Sequence, residues 1–451
     1  MKLFVKLKNL LVKSDYEKNI AVLSVGAVFA RGIAVLTTPI LSRIYDPNVF
    51  GDFAVLSSGY KIIGTVSTLG MMTLIMVAQN DEEAKGVCRT LLKAALVISA
   101  VSGTLLVVLQ TEFSFFSLSV PYSLGCVFIL LLVISDTLLN VSYAYANRLK
   151  KYRIIVYAPV VNAAVTAATS LLFGYLNLKT AGYATAVILA SVSEAIFILL
   201  FANPFLGVLE SKYSFAHILR RNRVFPRVQL PANLIGTLSD QLPITLICGL
   251  FGNMLLGFYT MCQKVLLLPI NLIAMPFNRV YLQEASEKVN RNEDIGPFSF
   301  QITKACARLV LIPILLLIVC GQALFPIAFG NAWLEAGQLI SAVAVAGVAD
   351  ILDNCLSNRF VLINRHLYGF IFSGIRLAVS ISALYISWRI WHDYYWTLLL
   401  FSVCKSVVTF ADITLYFHKI GIKKRKTVSF NLFYFILPTV LAVLLKRFHR
   451  I

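Results

Sequence analysis

Residues 28–41 read VFARGIAVLTTPIL. The stretch is apolar apart from two threonines and one arginine, Arg31, which stands close to its middle. With its flanks it forms an apolar run over residues 20–45, and about 20 such residues cross a bilayer as a helix. A guanidinium keeps its charge at any physiological pH. Inside a spanning helix it needs a polar or wet surrounding rather than lipid.

The rest of the chain has the same character. Of its 451 residues 59% are hydrophobic and only 14% are charged, and the mean hydropathy is +0.80. A soluble protein of this length needs far more polar surface. The class is a polytopic, all-helical membrane protein. The net charge of +19 does not point to nucleic acid, because Lys and Arg sit in short runs between apolar segments, which is the positive-inside pattern. All eight cysteines lie in or beside apolar segments and none forms a CxxC, so neither a disulfide framework nor a metal site is indicated. The N-terminus MKLFVKLKNLLVKSDYEKN (1–19) alternates lysines with Leu and Phe and lacks a cleavage site. That pattern fits a helix lying on the inner membrane surface.

Twelve spans are expected, over residues 20–45, 53–78, 87–110, 121–146, 154–175, 180–203, 228–250, 255–280, 302–328, 334–362, 367–389 and 395–417. A further apolar stretch, 430–445, is left open between crossing and not crossing. The loops NRLKKYR (147–153), HILRRNRVFPR (217–227), EKVNRNEDIGPFSFQITK (287–304), NRH (364–366) and HKIGIKKRK (418–426) are basic. The loops at 111–121, 251–253 and 329–335 are short and poor in Lys and Arg. A cytoplasmic N-terminus puts every basic loop inside. With no room for a large soluble domain, the protein's work is expected within the helices.

Spans six apart share features. Asp136 precedes Arg148 by twelve residues, and Asp353 precedes Arg365 by twelve. The second span opens GDF (51–53) with Lys61 after it, and the eighth opens GFY (257–259) with Lys264 after it. Arg31 on the first span is matched by Asp240 on the seventh, and Glu194 on the sixth by Lys405 on the twelfth. This reads as two parallel six-helix bundles, 1–206 and 207–427, with 428–451 as an extra apolar segment.

Among the charged residues within the spans, those singled out are Arg31, Lys61, Asp136, Glu194, Asp240, Lys264, Asp350, Asp353, Arg376, Lys405 and Asp412. At about 2.5–3.5 kcal/mol each at a helix centre, they could not all face lipid. Asp412, near a cytoplasmic end, is expected to snorkel to the interface. Pairing alone would account for Asp350, Asp353, Arg376 and Lys405 as well as function would. Arg31, Lys61 and Lys264 have no acidic residue one turn away along their own helices. Three such cations suit a substrate with two or more negative charges, such as a diphosphate.

The stretch TPILSRIYDPNVFGDFAVLSSGYKIIGTVSTLGMMTLIMVAQNDEEA (38–84) resembles the opening of bacterial polysaccharide flippases: Pro39-x-Leu41-x-Arg43-x-Tyr45, then a Phe50-Gly51 turn, then an acidic inner loop NDEEA. The resemblance is to the Wzx-type branch of the multidrug/oligosaccharidyl-lipid/polysaccharide (MOP) exporter superfamily. It implies a MATE-like fold, a bacterial inner-membrane location and no enzymatic activity. The implied substrate is an undecaprenyl-diphosphate-linked oligosaccharide, flipped outward by alternating access for a surface polymer such as O-antigen. It also implies that Arg31, Lys61 and Lys264 meet the diphosphate. Asp136, Glu194 and Asp240 are candidates for coupling to a proton or sodium gradient, with Asp353, Arg376 and Lys405 as further cavity candidates. Implied partners are membrane lipids and the polymerase and glycosyltransferases of the same pathway. Two alternatives stay open, a cation-coupled drug exporter of the same superfamily and a membrane-embedded polysaccharide polymerase.

Overall fold

The computed structural model describes residues 15–109, 121–202 and 213–448. The basic N-terminus up to Lys13, most of the loop 111–121 and the start of the segment joining the halves lie outside the described residues. Within them the secondary structure is helical, with no strand. The long helices are α1 (Asp15–Ile44), α2 (Pro47–Ser67), α3 (Asp81–Leu109), α4 (Tyr122–Arg148), α5 (Tyr152–Tyr175) and α6 (Lys179–Ala202). They continue as α7 (Phe225–Phe251), α8 (Asn253–Asn290), α9 (Gly296–Phe329), α10 (Asn331–Leu362), α11 (His366–Trp391), α12 (Tyr394–Lys419) and α13 (Lys424–Phe448). Eleven of them, α3 to α13, are long and apolar enough to cross a membrane. The chain divides into two compact units, Met1–Thr237 and Leu238–Ile451.

In the first unit the Pro-x-Leu-x-Arg-x-Tyr stretch is a packing device. Leu41, Tyr45 and Phe50 are buried. Tyr45, Phe50 and Phe53 close around Tyr183 of α6, with ring centroids 5.5, 5.5 and 4.9 Å away. The Tyr45 hydroxyl donates to the Ser170 carbonyl of α5 at 2.8 Å. The expected Phe50-Gly51 turn is not a turn. Gly51, Asp52 and Phe53 lie inside α2, which starts at Pro47, a residue suited to a first helical turn because its missing N–H would have no partner there. Asp52 is fully buried and accepts a 2.8 Å hydrogen bond from the Thr180 hydroxyl of α6.

The expected span 53–78 also ends early. α2 stops at Ser67, and Leu69 and Gly70 take positive φ. A Cβ on Gly70 would lie 2.7 Å from the Leu230 nitrogen and 3.0 Å from the Phe225 carbonyl oxygen, so only glycine fits this turn. A separate short helix, Leu74–Val77, follows. The acidic NDEEA stretch is not a loop but the start of α3. The Glu83 amide donates to the Asn80 side chain at 2.8 Å, and the Glu83 carboxylate accepts from the Gln79 amide at 3.1 Å. This is a variant of the capping box in which the carboxylate takes the amide before the N-cap Asn80, and the acidic first turn also suits the helix dipole.

Arg148, at the end of α4, holds this corner. It pairs with Asp81 at 3.0 Å and donates to the Ile75 and Ala78 carbonyls at 3.2 and 2.9 Å. A short helix, Phe215–Arg221, docks at the same place. Its Ile218 is fully buried in the cluster of Met71, Ile75, Val87, Cys88 and Leu91, and Arg221 reaches the buried Glu83 at 3.6 Å.

In the second unit α8 and α9 are longer than expected, because the residues around 287–304 are mostly helical. QEASEKVN (283–290) is rich in good helix formers and continues α8. Gly296 to Lys304 belong to α9, so only residues 291–295 form the connection. α8 passes through a π-helical turn at Ile270–Ala274, between Pro269 and Pro276. Proline removes the backbone donor that regular α geometry needs, and a wider turn accommodates the loss.

Of the helices long and apolar enough to cross a membrane, α10 is the most enclosed, buried along most of its length. Its run SAVAVAGVA (341–349) is small and apolar on every side, the pattern of a helix surrounded by others. It is broken by a 3₁₀ turn at Ala344–Ala346 and again at Asn358, whose φ is +63°. α13 packs on α12: the Asn431 amide donates to the Phe410 carbonyl at 3.1 Å and to the Thr414 hydroxyl at 2.8 Å. The stretch left open in the sequence is therefore a packed helix of crossing length.

Candidate functional site

The expected site residues fall into both units. Arg31, Lys61, Asp136 and Glu194 belong to the first, and Asp240, Lys264, Asp353, Arg376 and Lys405 to the second. Arg31 on α1 and Lys264 on α8 are half-buried, and Lys61 on α2 is exposed.

In the first unit α4 organises two carboxyl groups. Asp136 accepts from the Asn140 side chain at 2.9 Å, one turn along the same helix. It lies against Gly64 of α2, where an added Cβ would sit 4.0 Å from its Oδ2. Gly64 is one turn from Lys61, and Lys61 and Asp136 interact electrostatically. Lys61 therefore has an acidic neighbour after all, supplied by α4 rather than by its own helix. Two turns after Asp136, the Tyr143 hydroxyl donates to the carboxyl of Glu194 on α6. Asn162 of α5 bonds the same group. Glu194 is only 4% exposed, so its hydrogen bonds tie α4, α5 and α6 together.

In the second unit the charges condense. Asp350 and Asp353 stand one turn apart on α10 and point to one side. Lys405 of α12 pairs with Asp350 at 2.8 Å. Asp353 is shared by two guanidinium groups, Arg359 at 2.8 Å and Arg376 at 3.3 Å. Both reach Asp412 of α12 as well, Arg359 in a direct ion pair and Arg376 at 3.8 Å. The result is an alternating ring, Arg359–Asp353–Arg376–Asp412. Asp240 of α7 is exposed and interacts electrostatically with Lys405 and Arg376. The described cluster holds four carboxylates (Asp240, Asp350, Asp353, Asp412) and three cations (Arg359, Arg376, Lys405).

Two features depart from the sequence reading. Asp412 does not snorkel. It is 2% exposed, because Arg359 and Arg376 offer a partner nearer than the interface. Arg359, absent from the expected set, is the most buried cation of the cluster. The left-handed Asn358 breaks α10 and starts the short turn that carries Arg359. Asn278 of α8 satisfies the carbonyls freed there, donating to Cys355 at 3.0 Å and Ser357 at 3.3 Å. The spacing Asp350-x-x-Asp353, followed by an arginine at the end of the span, is the one sequence signal that pointed to it.

Comparisons with known proteins agree with this architecture. The chain is similar to the lipid II flippase MurJ in an inward closed conformation, with a TM-score of 0.70 over 94% of this chain and 96% of that one, at 12% identity. It is similar to an inward-facing multidrug resistance MATE family transporter of the MOP superfamily, with a TM-score of 0.63 over 88% and 94% of the two chains, at 15% identity. At these identities the likeness is one of fold, and the fold is that of MOP-superfamily transporters. In sequence, 131 residues are 27% identical to the teichuronic acid biosynthesis protein TuaB of Bacillus subtilis strain 168. That match spans 29% of this chain and about a quarter (27%) of the curated relative's length. Residues 40–338 match the polysaccharide biosynthesis protein family. That region is more than half of the chain and takes in parts of both compact units, and this multi-pass membrane protein belongs to that family.

Proposed function

We propose that this protein flips undecaprenyl-diphosphate-linked oligosaccharide repeat units across a bacterial inner membrane, from the cytoplasmic to the outer leaflet, for assembly of a surface polysaccharide. Membership of the polysaccharide biosynthesis family carries the reading, because it joins a saccharide pathway to a chain whose fold is that of transporters. The substrate of the structurally similar MurJ is lipid II, which supports a lipid-linked substrate here. Transport is by alternating access. The N-terminus is cytoplasmic, as the basic loops require. A glycosyltransferase set supplies the lipid-linked unit inside, and a polymerase consumes it outside.

Arg31, Lys61 and Lys264 are the groups assigned to the diphosphate. Arginine offers a bidentate fork and lysine a mobile point charge, and both suit phosphate oxygens. Asp136 beside Lys61 gives that lysine an opposite charge when no substrate is bound. Asp240 is the first candidate for proton or sodium coupling, since it is exposed and its cluster holds one more carboxylate than cations. Glu194 and Asp136 are the corresponding candidates in the first unit.

The test is complementation of a host lacking the gene. Loss of one charge-assisted contact, about 1.5–3 kcal/mol, is expected to lower transport about 10–100-fold. Arg31→Ala, Lys61→Ala and Lys264→Ala should each deplete surface polymer while the protein remains in the membrane. Undiminished polymer in Arg31→Ala would remove that arginine from the site. If cationic dye efflux depended on Asp240 while all three variants still made polymer, the drug-exporter reading would take precedence.

A further inference from the structure

α3 carries a ladder of cations that transport does not use. Lys85, Arg89 and Lys93 are spaced four residues apart. At about 100° per residue, this spacing stacks them along one side of the helix. The opposite side packs inward: Ala84, Val87, Cys88 and Leu91 are buried in the first unit's hydrophobic cluster. From Lys93 onward the exposed residues of α3 are Lys93, Leu96, Val97, Ala100, Val101, Thr104 and Leu105. An exposed Leu/Val surface on a spanning helix is a lipid-facing surface, so Lys93 stands at its edge.

The depth of Lys93 makes this unusual. α3 has 29 residues, about 43 Å at about 1.5 Å per residue, which matches a bilayer of about 40–45 Å with headgroups. Lys93 lies twelve residues beyond Asp81, about 18 Å along the axis. Helical side chains lean toward their N-terminus, which brings Lys93 back toward Arg89 and Lys85. Lys85 also pairs with Glu82 at 3.4 Å. A lysine at the depth of Lys93 is stabilised by an anion drawn down the same face.

We infer that this face binds the phosphate of an anionic phospholipid, with Arg89 and Lys93 as its principal ligands and Lys85 at the rim. Charge complementarity selects an anionic headgroup over a zwitterionic one. Above the ladder the exposed residues are aliphatic apart from Thr104, whose hydroxyl donates to the Ala100 carbonyl of its own helix at 2.9 Å, and none carries a ring or amide to hold a saccharide. The occupant is therefore a small-headgroup phospholipid rather than the sugar-bearing carrier. That the leaflet is the inner one rests on the topology proposed above, whereas the site itself does not.

The experiment is native mass spectrometry of the full-length protein in detergent, titrated with phosphatidylglycerol and, separately, phosphatidylcholine. The wild type is expected to retain phosphatidylglycerol preferentially. Each cation is expected to change affinity about fivefold, so Arg89→Gln/Lys93→Gln should bind about 30-fold more weakly. The charge-conserving Arg89→Lys/Lys93→Arg should retain binding, and added salt should weaken phosphatidylglycerol binding to the wild type. Equal binding of the two lipids, or unchanged binding in the neutral double variant, would overturn the proposal. Displacement of phosphatidylglycerol by undecaprenyl phosphate at lower concentration would overturn the choice of occupant. None of these readouts measures flipping, so they fail or succeed independently of the transport reading.

Discussion

Arg359 shows how a buried charge is held in this protein. Its guanidinium touches Asp353 and Asp412, and Arg376 closes the ring from α11. Moving such ions out of water is unfavourable, and their attraction offsets that only while the geometry is complete. Removing Arg359 leaves two buried carboxylates short of a partner. Arg359→Met is therefore expected to destabilise the protein by about 3–5 kcal/mol. Lys405→Met, at a pair whose partners are 21% and 22% exposed, should be milder, because solvent screens that pair. Thermal unfolding of the two variants in detergent checks this, and equal losses would contradict it. Asp353, Arg376 and Lys405 were legible as charges too costly to face lipid, and pairing was one reading of them, but the partner of each was not legible. Arg359 went unread because it lies at the end of a span, where a long side chain usually reaches water. Asp412 was misread for the same reason, since sequence cannot show that an arginine on another helix lies nearer than the interface.

At the scale of elements, hydropathy located the spans and local chemistry set their ends. The capping of α3 by Asn80 and Glu83 moved its start outward to Asp81, and the turn at Gly70 cut α2 short. Both signals stand in the sequence, but an apolar run conceals them, because Leu and Val continue through a turn as readily as through a helix. Gly70→Ala should show the effect of the turn. It combines a φ of +67° with a Cβ 2.7 Å from the Leu230 nitrogen. A destabilisation above about 1 kcal/mol is expected, since the strain of φ > 0 adds to a backbone clash. Full stability of this variant by the same unfolding assay would mean that the α2–α3 corner does not fix the fold. The pattern within α10 carries its surroundings in the sequence, since small residues on every side suit a helix enclosed by others, although its breaks at Ala344–Ala346 and Asn358 were hidden.

At the scale of the molecule, composition and loop charge placed the chain among polytopic helical membrane proteins. The stretch 38–84 then pointed to polysaccharide flippases, in keeping with the family to which residues 40–338 belong. That stretch was informative because it is a packing motif: Tyr45, Phe50 and Phe53 enclose Tyr183. Its aromatic residues identify the fold, while Lys61 of the same stretch is the one assigned to the substrate. The substrate is read from the family and its diphosphate site from charge, and the central claim is that lipid-linked saccharide crosses the membrane through this protein. The most direct measurement uses the purified protein in liposomes loaded with lipid-linked repeat units from a host lacking the polymerase, probed by an enzyme that modifies only saccharide exposed outside. With the wild type, the pool initially facing inward should become modified, and Arg31→Ala/Lys61→Ala liposomes should behave like protein-free ones. If the inward-facing pool stays protected with the wild type, under imposed proton and sodium gradients alike, the account is contradicted.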